Sequence, residues 1–134
     1  RTLFMDTFNQ VNEGLQHLFP KVFGGGMRQA GYLAAAGIYA LENNISRLAE
    51  DHQHAKQIAE ALSKKEFIGK IMPVETNIII FEVTGSYTAK EFCERLQLDD
   101  ILCLSISATQ VRMVTHLDVT PAMTLRVIEV IKML

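Results

Sequence analysis

At 134 residues, 49% of them apolar and 21% charged, the chain is too apolar for disorder and long enough for one packed domain. Its 13 lysines and arginines against 15 acids leave a net charge of −2 with no basic cluster, which argues against a nucleic-acid surface. No apolar run is long enough to span a bilayer as a helix and no charged-then-apolar leader opens the chain, so neither a membrane nor a nucleic acid is expected as a partner. Cys93 and Cys103 sit in apolar surroundings that suit buried free thiols in a reducing cytoplasm, with a disulfide as the alternative.

Phe4, Phe8, Val11, Leu15 and Leu18 recur at helical spacing, predicting an amphipathic helix over 5–18 that Pro20 ends. Gly24-Gly25-Gly26 then feeds Met27-Arg28-Gln29, a glycine-rich turn opening a helix whose free backbone N–H groups and positive dipole end suit an anion. Arg28 stands in that first turn against the preference of the dipole, which points to an anion or an acidic partner lying between them. Lys21, three residues before the glycines, either reaches the same anion or is a solvated loop lysine. The helix is expected over 27–42, with Ala30, Gly31, Ala34, Ala35, Ala36 and Gly37 allowing close approach of another backbone.

Asn43-Asn44 is read as the end of that helix and the cap of the next, from about Ile45 to Lys64, with Ile45, Leu48, His52, Ala55, Ala59 and Leu62 on one face. His52 and His54, two residues apart on a helix, do not share a face and make a poor metal pair. The pattern then turns to strands. Asn77–Val83 is β-branched and apolar on both faces, as in a central strand. Thr88-Ala89-Lys90-Glu91 has capping-box spacing and opens a helix to about Leu96. Ile101–Ser107 and Gln110–His116 read as two strands. Thr120-Pro121 supplies an N-cap and first-turn proline for a last helix over 121–133, with Met123, Val127, Val130 and Leu134 on one stripe. Helices followed by a small, mostly antiparallel sheet flanked by helices predict an α+β fold.

Alternation in the last strand sends Val111, Met113 and Thr115 one way and Arg112, Val114 and His116 the other. An arginine between apolar neighbours needs a carboxylate, a phosphate or a backbone acceptor, and its planar fork suits bidentate capture of a carboxylate. The alternative is a structural ion pair with Glu82 or another acid. His116 beside Asp118 is either a base or a hydrogen-bonding strand terminator. No Ser–His–Asp, Cys–His or metal-ligand spacing stands out, so no metal site is expected.

Read as a string, Gly24–Gly31 followed by Leu33–Gly37 and Tyr39–Leu41, then Arg47–His52 with Ala55-Lys56, Glu75-Thr76-Asn77 and Val111–Val119, resembles the low-specificity L-threonine aldolases. These are pyridoxal-phosphate enzymes of the aspartate-aminotransferase fold group (fold type I). The matches are collinear from about Lys21 to Leu134. The resemblance implies cleavage of L-threonine or L-allo-threonine to glycine and acetaldehyde. It implies that Arg112 holds the substrate carboxylate and that Lys21 and Arg28 contact cofactor phosphate or substrate. It implies a lead-in helix over 1–20 and a small C-terminal domain over 21–134, made of long helices at 27–64 and an α/β subdomain at 70–134. The family's Schiff-base lysine lies in a serine- and glycine-flanked segment upstream of the glycine turn, and the context Phe19-Pro20-Lys21-Val22-Phe23 does not fit that role. No catalytic residue is therefore expected in this chain, which is expected to be inactive alone and to depend on a large cofactor-binding domain, in a homodimer or homotetramer. Two other readings are a related β-eliminating lyase acting on another amino acid and a non-catalytic binding or oligomerisation module.

Overall fold

The computed structural model describes residues 30–134 apart from Ser86, and Glu13 alone before them. The expected helix over 5–18, the glycine turn, Lys21 and Arg28 lie outside the described residues. The chain divides into two compact units, 1–43 and 44–134. In the first, helix α1 (Ala30–Asn43) carries no buried residue; Tyr32, Leu33, Ile38 and Tyr39 are all exposed. Its last turn closes with the Asn43 side-chain amide donating to the Tyr39 carbonyl at 2.9 Å.

The second unit runs α2 (Leu48–Leu62), β1 (Ile68–Ile71), β2 (Ile78–Val83), α3 (Ala89–Gln97), β3 (Leu104–Ser105), β4 (Gln110–Val114) and α4 (Pro121–Met133). The four strands form one antiparallel sheet in the order β1-β2-β4-β3, so the described chain has the expected α+β architecture. β2 is central, as its two apolar faces predict. Ile79 stands opposite Met113 and Phe81 opposite Val111, and these side chains are buried with Val83 against helix residues Ala55, Ile58, Leu62, Phe92, Leu96, Val130 and Ile131. The Phe81 and Phe92 rings meet edge to face at 5.6 Å, the favoured geometry for an aromatic pair.

Local chemistry explains the helix ends. At α3 the Thr88 hydroxyl accepts from the Glu91 amide at 3.2 Å while the Glu91 carboxylate accepts from the Thr88 amide at 2.8 Å, the expected capping box. At α4 the Thr120 hydroxyl accepts from the Met123 amide at 3.2 Å with Pro121 in the first turn. α3 ends where Asp100 turns left-handed at φ 60°, a conformation Asp tolerates better than most residues.

Four expectations are corrected. α2 begins at Leu48 rather than Ile45, and Asn44 does not cap it; Arg47 occupies the cap position with no side-chain cap, because its guanidinium reaches forward to Asp51 instead. Its buried face is Asp51, His54, Ala55, Ile58, Ala61 and Leu62, so His54 is buried where His52 was expected, since the helix is rotated to meet α4. Of the expected α4 stripe, Val130 is buried and Val127 and Leu134 pack against the core, but Met123 is exposed, and Thr124 and Ile131 are buried in addition. Finally, β1 was not anticipated: Gly69 and Lys70 break the apolar alternation of Ile68 and Ile71, and a bulge between those isoleucines breaks the register against β2. Gly69 sits in a tight place, since a Cβ there would lie 3.1 Å from the Thr84 methyl and 3.3 Å from the Glu82 Cβ and would push those side chains aside.

Candidate functional site

The helices cover one face of the sheet, and strand alternation turns Ile78, Ile80 and Glu82 of β2 and Gln110, Arg112 and Val114 of β4 to the other. Arg112 is half-buried at the middle of this face. Its direct cross-strand neighbours are Ile80 on β2 and Leu104 on β3. Among the described residues it makes no salt bridge and donates no side-chain hydrogen bond. Glu82, the partner of the structural alternative, instead accepts from the Gln110 amide nitrogen at 3.5 Å. A guanidinium flanked by aliphatic cross-strand partners and without an ion pair among the described residues keeps its planar fork free, and such a fork suits a carboxylate.

A polar clamp lies three residues further along β4. The Thr115 amide donates to the Asn77 carbonyl at 3.0 Å and the Asn77 side-chain amide donates to the Thr115 carbonyl at 2.6 Å, which carries the β2–β4 pairing past Val114. The Thr115 hydroxyl donates to the Asp51 carbonyl at 2.7 Å. The Asp51 carboxylate is buried and receives both terminal nitrogens of Arg47 at 3.1 Å. Residues from three separated segments, 47–51, 77 and 112–115, are thereby held at one end of the sheet. Asn77 and Thr115 were not singled out from sequence as a pair; the four-residue spacing of Arg47 and Asp51 on a helix was the available signal.

His116 closes the strand. Its Nδ1 accepts from the Asp118 amide at 3.3 Å and its carbonyl accepts from the Val119 amide at 2.8 Å, the geometry of a strand terminator. It borders a cleft of about 690 Å³ between the end of β4, the loop after α3 and the start of α4, with Ile58, Ile101, Met113 and Val127 among its apolar walls. Asp99 on the rim is fixed by Arg95 at 2.8 Å and Arg126 at 2.9 Å. Arg112 lies outside that lining. Lys21 and Arg28 lie outside the described residues.

The described residues do not build a pyridoxal phosphate site. They offer a half-buried arginine without an ion pair, but every described lysine belongs to the surface: Lys64 pairs with Glu60 at 2.8 Å, Lys90 with Glu94 at 3.6 Å, and Lys65 donates to the Lys132 carbonyl at 2.7 Å. Lys56, Lys70 and Lys132 are exposed. Among the described residues no three His, Cys, Asp or Glu side chains gather to hold a metal, and no helix is long and apolar enough to cross a membrane.

Comparison with known proteins gives one family match, to the model described as beta-eliminating lyase, over residues 16–86, more than half of the chain. The chain is 46% identical over 101 residues to a low specificity L-threonine aldolase of Escherichia coli strain K12, covering 75% of this chain and 28% of that protein. It is 38% identical over 103 residues to low-specificity L-threonine aldolase 1 of Arabidopsis thaliana, covering 75% of this chain and 29% of that protein. A probable low-specificity L-threonine aldolase of Schizosaccharomyces pombe is 29% identical over 103 residues, covering 77% of this chain and 25% of that protein. The chain thus spans under a third of the length of the curated relatives it matches.

Proposed function

This chain belongs to the beta-eliminating lyase family, and from that premise we propose that it is part of a low-specificity L-threonine aldolase cleaving L-threonine or L-allo-threonine to glycine and acetaldehyde. The observation that carries the reading is Arg112, half-buried between Ile80 and Leu104 on the sheet face and making no ion pair among the described residues. Its fork takes the amino-acid carboxylate in two parallel hydrogen bonds. A carboxylate held at both oxygens cannot rotate freely, so the direction of the Cα–Cβ bond is set as the substrate binds. Pyridoxal phosphate supplies, when bound, the electron sink for breaking that bond. Its lysine belongs to a part of the protein upstream of the glycine turn, and Lys21 and Arg28 serve its phosphate or the substrate. The whole protein is a cytoplasmic homodimer or homotetramer, and the 134 residues alone do not cleave threonine.

The test is steady-state kinetics on the full-length protein and its Arg112→Gln variant. Wild-type protein is expected to release acetaldehyde from threonine, and the variant to lose roughly 100-fold or more in kcat/KM with its fold intact, the scale for truncating one partner of a buried charge pair. A loss under about threefold would remove Arg112 from the site. The family description also favours a second reading, β-elimination on another amino acid; release of pyruvate from serine or cysteine without acetaldehyde from threonine would replace the aldolase by it.

A further inference from the structure

Cys93 lies at the middle of α3 and Cys103 directly precedes β3. Both are free and half-buried, and their sulfurs are 3.3 Å apart, with the Cys103 thiol donating to the Cys93 sulfur. The segment between them is held firmly. Asp99 is gripped by Arg95 from α3 and by Arg126 from α4, and the amides of Asp99 and Ile101 both donate to the Leu96 carbonyl. α3 also packs directly on β3. The two sulfurs are therefore set against each other by the fold. They need to approach by only a little more than about 1 Å to reach the ~2.05 Å of an S–S bond.

We propose that Cys93 and Cys103 form an oxidisable dithiol, a modification site that closes to an intrachain disulfide when it meets a peroxide. The hydrogen bond assigns the roles. Cys93 is the acceptor and the sulfur oxidised first, and Cys103 is the resolving thiol. Burial, with the bond to Cys93 adding to it, pushes the Cys103 thiol well above its usual range, so it stays protonated until it reacts. In the first step the Cys93 thiolate attacks one peroxide oxygen. The O–O bond breaks, a sulfenic acid forms, and hydroxide leaves and takes up a proton as water. In the second, the Cys103 sulfur attacks the Cys93 sulfur as it gives up its proton; the S–O bond breaks and a second water leaves. The two thiols lose two electrons and two protons, and one hydrogen peroxide becomes two waters. A small dithiol reverses the bond by exchange. Closure ties the stretch Leu98–Leu102, one wall of the cleft, to the helix that precedes it.

The experiment exposes the intact protein to hydrogen peroxide, blocks remaining thiols, and maps tryptic peptides without reduction. The expected product is a single species joining the peptide Glu91–Arg95 to the peptide Leu96–Arg112, from protein that runs as a monomer on a non-reducing gel. Dithiothreitol should return both peptides as free thiols. Cys93→Ser and Cys103→Ser should each abolish the linked species, and Cys103→Ser should let Cys93 proceed to sulfinic acid for want of a resolving thiol. Full alkylation of both cysteines in wild-type protein after peroxide would overturn the proposal. So would separate sulfinic acids at both positions, or linkage found only in a disulfide-joined dimer.

Discussion

Arg47 and Asp51 form the most consequential ion pair of the second unit because only one of them is near solvent. The Asp51 side chain is 4% exposed and the Arg47 side chain 19%. A carboxylate that deep is tolerated because both guanidinium nitrogens meet it. Arg47→Ala would leave that charge buried and unmatched, a change that costs about 3–5 kcal/mol. We expect a lower denaturant midpoint with an unchanged slope, and a smaller loss in Arg47→Ala/Asp51→Asn, which removes the orphan charge as well. At this scale the sequence was partly legible. Alternation placed Arg112 opposite the core face without ambiguity, because the side-chain period of a strand is two. It left undecided whether Glu82 would reach Arg112, since that depends on which residue of β4 faces which of β2. The observed register puts Glu82 across from Gln110 and Ile80 across from Arg112.

Among the helices of the second unit, those whose start carries a capping hydroxyl were read correctly. Thr88 and Glu91 open α3, and Thr120 with Pro121 opens α4, at the residues their spacing predicts. At α2 the start signal read from the sequence, Asn43-Asn44, is not the cap; the helix starts at Leu48 after Arg47, and its boundary and its face both moved. β1 is four residues with Gly69 and Lys70 inside it, too short and too interrupted for periodicity to show. The capping box also carries a pH signature. The Thr88 backbone and hydroxyl hydrogen bonds hold the Glu91 carboxyl below its ordinary 4.5. A depressed folded value means that the stabilisation is fully present above 4.5 and is lost as the pH falls through the lowered value. Glu91→Gln should therefore shrink the acid-induced loss of helix stability, read as a flatter dependence of Tm on pH below that point. Thr88→Ala should cost about 1 kcal/mol at neutral pH by removing the cap.

For the molecule as a whole, every side chain of the hydrophobic core among the described residues falls between Ala55 and Ile131. Residues 44–134 therefore carry a complete core of their own, and a protein cut to that range should unfold in one cooperative transition by circular dichroism, with coincident near- and far-ultraviolet curves. Separate transitions would show that the core is not self-sufficient. The candidate site is less complete than the core. Arg112, proposed to bind the carboxylate, is described with its strand neighbours, whereas the basic residues read from the glycine turn lie outside the described residues. That is also why the string resemblance and the family match said more about the chemistry than the geometry of one sheet face does.

A strand at the border of a sheet presents unpaired backbone groups to any passing chain, and a long flat one invites it to join. Here β3 offers only two residues, and β1 is bulged and carries Lys70 and a glycine without side chain. Neither border is long or regular enough to template another strand, so the sheet, with isoleucines on the face turned away from the helices of its own unit, is guarded against growing into an aggregate.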